Sequence, residues 1–409
     1  YYIDVKGMLS SLHGSAGAIT ALQNSVAHYY QRASSADYLG VDPTRRSLTG
    51  TGGYVKVGRK GNAKWNFSET FTWSSPGFDL NDMGYMKETD YLMNETEIMY
   101  RQTDIWKIFR YNAFTLSQKN MWNYGGTPFS NNASLRWQSM TMNRYEWDVK
   151  ETFAWNWLDS RLLRGGPDVR FGSYFLTSAK FNTDKAKRMM FMLKYEGDHN
   201  FEGNRFNTIS PSLTFRLGNH VYLSGQLDYA WNTDEMQYVA TTSPLSSSSL
   251  APYYYVMGHM DQKTYGLTLK LQVNVTPDIS IQFYGAPFTS IAKYDDFKLA
   301  ADTKSHTFEN RFQRIDPDQL TYADGVYTIG EGAGQMPFRN PDFRFNEFRS
   351  NLVARWEYLP GSTLYFVWEH RMSNRDNWYS SGWGSNLDRM WGLPATNTFM
   401  IKMNYWFNL

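Results

Sequence analysis

The chain ends in the stretch FMIKMNYWFNL, residues 399–409, in which apolar side chains occupy every second position up to the last residue. Successive side chains of an extended strand point to opposite faces. One face would then carry Phe399, Ile401, Met403, Tyr405, Phe407 and Leu409. The other would carry Lys402, Asn404 and Asn408, with Met400 and Trp406 as exceptions. Because chain ends are usually polar and frayed, this ending predicts a strand whose apolar face is buried in nonpolar surroundings.

The same alternation recurs along the chain and indicates β-structure throughout. It is clearest in YEWDVKETFAWNW (145–157), VYLSGQLDYAW (221–231), YGLTLKLQVNV (265–275) and FRSNLVARWEY (348–358). Such strands are about 9–13 residues long, the length that crosses a bilayer at a tilt. Soluble sandwiches and propellers also alternate apolar and polar residues, but their strands have about five to six residues. The pattern therefore favours a membrane barrel.

Connections of two kinds alternate between these strands. Short turns are predicted at GNH (218–220), TPD (276–278) and PGS (360–362), and long polar stretches at 233–263, 290–346 and 372–396. In outer-membrane barrels, tight periplasmic turns alternate with extended extracellular loops in the same way.

These signals predict a single-domain, all-β, transmembrane up-and-down antiparallel β-barrel of about 16 strands. This number is even, as in single-chain bacterial barrels. The strands are predicted near 22–32, 51–58, 63–73, 93–103, 108–122, 131–141, 144–157, 169–181, 186–196, 205–217, 221–232, 264–275, 279–289, 346–358, 363–372 and 397–409. Residues 1–21 are expected to form a periplasmic or lumenal lead-in segment, and 22–409 the barrel. The last strand is expected to close the barrel by pairing with the first. Its aromatic run resembles the terminal strand that the outer-membrane assembly machinery recognises.

The composition agrees with a membrane location. Aromatic residues make up 17% of the chain, about twice the share expected of a soluble domain, and such side chains suit a bilayer interface. There are no cysteines, which excludes thiolate metal sites and a cysteine nucleophile. No apolar run reaches the roughly 20 residues of a membrane helix. The chain starts at Tyr1 without a methionine or signal peptide, so we expect a processed or truncated product.

No pattern in the sequence indicates catalysis, a metal or a cofactor. The seven histidines lack metal-ligand spacing, and neither a G-x-S-x-G elbow nor a P-loop occurs. SLHGS (11–15) and His259–Asp261 come nearest to a catalytic group and are interpreted as a lead-in and a loop. The net charge of +2 is spread along the chain, so nucleic acid is not an expected partner. We expect a protein that is not an enzyme.

Charged side chains alternate away from the apolar face and should line the lumen, because each costs roughly 2–4 kcal/mol when it faces the middle of a bilayer. These predicted lumen-lining residues are Arg136, Asp148, Lys150, Lys194, Arg216, Asp228, Lys270, Arg349, Arg355, Glu357 and Lys402.

Several long stretches resemble one protein family. They are YYIDVKGMLSSLHGS (1–15), YYQRASSADYLGVDPTRRSLTG (29–50), SSPGFDLNDMGYM (74–86), LRGGPDVRFGSY (163–174) and FRSNLVARWEYLPGSTLYFVWEHRMS (348–373). They are similar to the C-terminal β-barrel domain of unknown function of Bacteroidota outer-membrane proteins. Those proteins carry an upstream domain similar to family-nine carbohydrate-binding modules. The resemblance spans essentially the whole chain and implies an outer-membrane location, but it brings no catalytic residues.

Two functions remain open. In the first, the barrel is a channel or surface binding protein for small polar solutes or glycans, and loop aromatics stack on sugar rings. The candidate aromatics are Tyr253, Tyr254, Tyr255, Trp378 and Trp383. In the second, residues 290–346 and 1–21 plug the barrel, which then anchors an envelope complex of the bacterial outer membrane. Charges of both signs favour an internal ion-pair network over a strongly selective pore.

Overall fold

The computed structural model describes residues 1–32, 37–81, 84–155, 157–245, 252–376 and 383–407. Within these ranges the chain forms 22 strands: β1 Tyr2–His13, β2 Ser47–Arg59, β3 Trp65–Ser74, β4 Tyr91–Gln102, β5 Phe109–Trp122, β6 Pro128–Thr141, β7 Glu146–Trp155, β8 Trp157–Asp159, β9 Val169–Phe171, β10 Tyr174–Asn182, β11 Met189–Asn200, β12 Arg205–Leu217, β13 Val221–Thr242, β14 Tyr254–Asn274, β15 Ile279–Ala300, β16 Phe312–Arg314, β17 Leu320–Ala323, β18 Val326–Ile329, β19 Met336–Arg339, β20 Phe343–Leu359, β21 Ser362–Asp376 and β22 Thr396–Asn404. The helices are α1 Ala16–Gln23 and α2 Trp383–Trp391, with short 3₁₀ turns at Glu309–Arg311, Pro317–Gln319 and Gly332–Gly334.

Sixteen of these strands form one antiparallel sheet in which each strand pairs with its neighbour along the chain. The order is β1 to β7, β10 to β15, and β20 to β22. The short strand β16 adds to the far end of β15. The predicted all-β class and large antiparallel meander are confirmed.

The sheet has two chemically different faces. The apolar face carries Val57, Phe67, Ile98, Leu116 and Leu135, which cross-strand pairing places side by side or one step apart along the strands. The opposite, polar face carries the residues between them, such as Glu97, Ser117 and Arg136. The period-two pattern of the sequence therefore corresponds to these two faces.

All the predicted strands except the first overlap a strand of the sheet. The prediction of a strand at 22–32 is wrong, because α1 and a series of turns occupy this region. The helix sequence AGAITALQ has no period-two alternation, and the Ser15 side chain caps its first turn by accepting a bond from the Ala18 amide at 3.2 Å. Tyr2–His13 forms the first strand instead and pairs with β2 along its whole length.

The sheet is not closed, so the predicted pairing of the last strand with the first is absent. Among the described residues, β1 pairs only with β2 and β22 only with β21. The predicted partner at 22–32 cannot accept β22 because it is not a strand. Moreover, β22 ends at Asn404, residues 405–407 are not in a strand, and Asn408 and Leu409 lie outside the described residues. Every side chain of β22 is exposed.

The predicted alternation of short and long connections is confirmed. One end of the sheet, the short-turn end, has connections at 60–64, 103–108, 142–145, 183–188, 218–220, 275–278 and 360–361. The other end has the long connections 14–46, 75–90, 156–173, 243–253, 301–342 and 377–395, with shorter ones at 123–127 and 201–204. Gly218 and Gly361, with φ of 63° and 78°, adopt the left-handed conformation that tight turns require.

The clusters of buried apolar side chains lie at the long-connection end. The largest cluster joins the outer parts of β14 and β15 to the small sheet of β17, β18 and β19, and includes Val256, Met260, Tyr294, Phe297 and Phe338. A second cluster, with Leu163, Met236 and Met257, packs the connection between β7 and β10 against the same extension. In the described part of the chain, no helix has the length and hydrophobicity needed to cross a membrane.

Candidate functional site

The eleven predicted lumen-lining residues all lie on the polar face. Cross-strand pairs such as Arg136 with Lys150, and Lys270 with Ser224, connect them through successive strands from β6 to β22. Directly paired residues share a face, so these eleven residues lie on one surface of the sheet. Whether that face lines a water-filled lumen stays a prediction.

Several of these residues form ion pairs with neighbours on the polar face. The Arg136 guanidinium donates to Asp148 at 2.8 Å, the Lys194 ammonium lies 2.6 Å from Glu196, and Arg355 lies 2.5 Å from Glu357. Ser210 donates to Asp228 at 2.6 Å. Arg349 lies 2.8 Å from Glu347, Arg216 donates to the Lys185 carbonyl at 3.2 Å, and the Lys402 ammonium is 6.0 Å from the centre of the Tyr365 ring. Charges of both signs thus neutralise one another locally.

At the long-connection end, a buried arginine joins connections that are distant in sequence. Arg311 is fully buried, and its guanidinium donates to both carboxylate oxygens of Glu202 at 2.8 and 2.9 Å. It also donates to the carbonyls of Ser305 and Arg170 at 2.8 and 2.7 Å. The Glu202 carboxylate accepts a further bond from the Gly172 amide at 2.9 Å. This cluster holds the connections 156–173, 201–204 and 301–342 together.

A second buried carboxylate organises the connections nearest the start of the chain. Asp90 lies 3.2 Å from Arg32 and accepts bonds from the Tyr38 hydroxyl at 2.7 Å and the Tyr124 amide at 3.1 Å. Burial raises the pKa of Asp90 above its ordinary value, although these partners oppose the shift. Burial likewise raises the pKa of Tyr30 to about 12.

We call the joined long connections the cap, meaning 14–32, 37–46, 75–81, 84–90, 157–173, 201–204 and 301–342.

Three cavities lie on the polar face beneath the cap or beside it. The first, of about 390 Å³, has the cap residues Arg32, Glu88 and Arg161 on one side and Lys119 on the sheet side. The second, of about 420 Å³, runs along β1 to β5, and the third, of about 560 Å³, along β4 to β12. Lys119 lines all three. We call these cavities together the Lys119 chamber.

The chamber wall offers charged, polar and aromatic groups. Its acidic side chains include Glu88, Asp159 and Asp168, and Phe129 and Trp157 supply aromatic surface. Asp168 is buried, and its carboxylate forms no hydrogen bond among the described residues, although Lys304 lies 3.4 Å away. Carboxylates that accept from hydroxyl groups, together with aromatic surface, suit a hydroxyl-rich ligand.

The predicted glycan-contacting aromatics do not form one group. Tyr253 is exposed, but Tyr254 packs against the largest apolar cluster and Tyr255 against the second. Trp378 lies outside the described residues, and Trp383 begins α2 with a side chain that the structure does not describe. Of the three candidates whose side chains the structure describes, Tyr253 is the one that is exposed enough to stack on a sugar ring.

Sequence reasoning missed Lys119, Arg311 and Glu202. Lys119 alternates with Leu116 and Gln118 in FTLSQKNMW (114–122), so the same period-two argument would have found it. The pairing of Arg311 with Glu202 has no local signal, because it depends on how long connections fold over one another.

In the described part of the chain, no three histidine, aspartate or glutamate side chains are grouped in a way that could hold a metal ion. His259 lies between two carboxylates, with its Nδ1 3.0 Å from Glu235 and its Nε2 3.6 Å from Asp261.

Comparison with known proteins gives a family but no characterised relative. A family model described as a domain of unknown function, DUF5916, matches residues 14–409. No curated protein matches the chain. No solved structure matches it either. Because the family model covers nearly all of the sequence, the chain belongs to the DUF5916 family of domains of unknown function.

Proposed function

We propose that this chain is a β-barrel protein of the bacterial outer membrane that binds or passes small polar solutes, glycans among them, without catalysis. The observation that carries the proposal is the exposure of the two faces. On the apolar face Leu116 and Leu135 are 55% and 56% exposed, whereas Thr115 and Ser134 on the polar face are 7% and 5% exposed. A sheet in water would show the reverse. Contact of the apolar face with lipid would explain why its side chains are exposed in the protein alone.

In this proposal the barrel closes in the membrane by pairing of β1 with β22. Tyr2 at the start of β1 and Asn404 at the end of β22 both lie at the short-turn end, so the two free edges run antiparallel. Ile3 and Val5 on one edge and Ile401 and Met403 on the other are exposed apolar side chains. Sixteen strands is an even number, as antiparallel closure requires. The free edge of β22 is also the one that assembly machinery would engage.

The Lys119 chamber is the proposed solute site. It is polar, lies on the face turned away from lipid, and carries carboxylates and aromatic surface suited to sugars. The short-turn end would face the periplasm and the cap the cell surface.

A second candidate function is that of a capped anchor or scaffold in an envelope complex. The buried bonds of Arg311 and Asp90 favour it, because they hold the cap over the polar face. Residues 1–13 do not contribute to this plug in the structure, since β1 is part of the sheet.

Single-channel conductance of the full chain in a planar bilayer separates the two functions. A steady conductance of porin size, reduced by maltooligosaccharides, is expected for the solute-passing protein. Silence of both the wild type and an Arg311→Ala variant with a loosened cap would overturn solute passage and favour the scaffold. Recovery of the protein in the aqueous fraction instead of the membrane fraction would overturn both functions.

A further inference from the structure

The cavity of about 420 Å³ that runs along β1 to β5 is lined by three lysines. Lys6 lies on β1, Lys119 on β5 and Lys87 in the cap. In the described part of the chain, none of these three side chains forms an ion pair or a hydrogen bond with another residue. We call this member of the Lys119 chamber the lysine cavity.

The lack of partners distinguishes these lysines from other cations of the polar face. Arg136, Lys194 and Arg355 each have a carboxylate oxygen within 2.6 Å. The described lining of the lysine cavity includes one carboxylate, that of Glu88, which already lies 3.4 Å from Arg161. Because a cleft lined by charges of one sign concentrates ions of the opposite sign, the lysine cavity should attract anions.

Glu95 does not neutralise this charge, although it lies directly opposite Lys119 on β4. The two residues form no ion pair. Glu95 instead lines the neighbouring cavity of about 560 Å³, together with Glu196 and Asp198. The unpaired positive charge is therefore concentrated in the lysine cavity and is not a property of the whole chamber.

Tyrosine rings line the same cavity. Tyr54 on β2 lies directly opposite Lys6, and Tyr91 lies on β4. Tyr85, in the cap, is 92% exposed. A tyrosine ring provides an apolar surface for the face of a sugar ring, and its hydroxyl provides a polar group at the edge. Cations combined with such rings suit a sugar that carries an anionic group.

The separation of the lysines requires a ligand with more than one charge. Strand β5 is the fourth strand from β1 in the sheet. At about 4.8 Å per strand, Lys6 and Lys119 are roughly 19 Å apart along the sheet. One anionic group cannot contact both ammonium groups, whereas an oligosaccharide with an anionic group on successive rings can.

We propose that the lysine cavity makes the solute site selective for oligosaccharides that carry several anionic groups, carboxylate or sulfate, over neutral ones. This inference rests on the solute site proposed above. The ammonium group of lysine acts as a point charge and not as a planar fork, so the cavity accepts either anion. The rings of Tyr54, Tyr85 and Tyr91 contact the sugar faces between the charges.

Isothermal titration calorimetry of the full chain in detergent tests this selectivity. Trigalacturonate supplies carboxylates, a κ-carrageenan tetrasaccharide supplies sulfates, and maltotriose is the neutral counterpart. Divalent cations are removed, because they would bridge the anionic groups independently of the lysines. At least one anionic probe should bind about tenfold more tightly than maltotriose, as expected of several weak ion pairs together. Sodium chloride should weaken the binding of that probe and leave maltotriose unaffected.

Glutamine variants test whether the lysines are responsible. Lys6→Gln and Lys87→Gln should each weaken binding of the anionic probe about two- to fivefold, the contribution of one exposed ion pair. Binding of maltotriose should stay the same, which shows that the variants are folded. Lys270→Gln is the matched control, because Lys270 lies on the polar face of β14, outside the lysine cavity.

The outcomes separate the selectivity from the solute site itself. If maltotriose binds as tightly as both anionic probes, the selectivity is overturned and the solute site stands. If no probe binds, the solute site is overturned and the selectivity with it. An equal loss of affinity in Lys270→Gln and Lys6→Gln would show a general effect of net charge and would overturn the role of the lysine cavity.

Discussion

Arg311 and Glu202 form a bidentate ion pair, with N–O distances of 2.8 and 2.9 Å, although 109 residues separate them in the chain. The guanidinium also donates hydrogen bonds to the carbonyl oxygens of Ser305 and Arg170. One buried charge is thereby satisfied by groups from three connections, which is the condition for retaining a charge in an interior. These bonds therefore hold three connections of the cap, 157–173, 201–204 and 301–342, together as one unit.

Removal of this arginine should loosen the cap without unfolding the sheet. Arg311→Met leaves the Glu202 carboxylate without its cation, and breaking a buried pair in this way costs roughly 3–5 kcal/mol. Hydrogen exchange of 301–314 and 163–172 should become faster, while exchange in β4 to β6 stays the same. Arg314→Met is the control, because the Arg314 side chain is 76% exposed and 3.9 Å from its nearest carboxylate. Equal exchange in the two variants would show that Arg311 does not hold the cap.

Lys119 should control the passage of charged solutes if the chamber conducts. It lines all three cavities, so Lys119→Glu reverses the charge at their junction. The reversal potential under a salt gradient is expected to move towards cation selectivity. Lys60→Glu, in an exposed short turn, provides the control for a general change of net charge. An identical shift in both variants would remove Lys119 from the conducting path.

The sequence predicted the repeating part of the fold and not its exceptions. Strands such as β12 and β21 follow from period-two alternation alone, since burial of one face dictates which residues alternate. The prediction assigned the first strand to 22–32 and placed YYIDVKGML (1–9), which also has the pattern of a strand, in the lead-in segment, whereas the sheet begins with β1. The extensions of β13, β14 and β15 and the cap depend on contacts between distant connections, for which a single sequence carries no local signal.

Leu135 tests the environment of the apolar face. If lipid covers this face, Leu135→Lys should lower the free energy of unfolding in vesicles by roughly 2–4 kcal/mol, the cost of lysine near the middle of a bilayer. Leu245→Lys is the matched control, because Leu245 is exposed in a connection outside the sheet. Urea unfolding followed by tryptophan fluorescence gives both values. A loss below about 0.5 kcal/mol for Leu135→Lys, as at ordinary surface positions, would argue for water on this face.

The two free edges can be tested for closure with cysteine pairs. Val5→Cys is combined in turn with Phe399→Cys, Ile401→Cys and Met403→Cys, all on the apolar face of the edge strands. In the membrane-inserted chain one of these pairs should form an intramolecular disulfide, which requires Cα atoms within about 7 Å. Val5→Cys with Leu223→Cys is the control, since β13 is far from β1 in the strand order. If no edge pair closes in vesicles, the sheet stays open there too.

His259 should make the extension of β13 and β14 sensitive to pH. Burial disfavours its charge, but the carboxylates of Glu235, Asp261 and Asp295 outweigh burial and raise the pKa of His259 above 6.5. Lys298, on β15, lies 3.9 Å from Glu235 and is the cation that faces this group. Because the folded-state pKa is raised, the stabilisation by charged His259 is complete below the unfolded value and is lost as pH rises through the folded one.

Hydrogen exchange of residues 233–242 and 254–261 at about pH 5.5 and about pH 8.5, corrected for intrinsic rates, measures this effect. Protection should fall at the higher pH in the wild type and become independent of pH in His259→Gln. His220→Gln is the control, since His220 lies at the short-turn end, where its Nδ1 is 3.2 Å from the Asn274 carbonyl. That variant should keep the pH dependence of the wild type. If the dependence persists in His259→Gln, His259 is not the group that titrates.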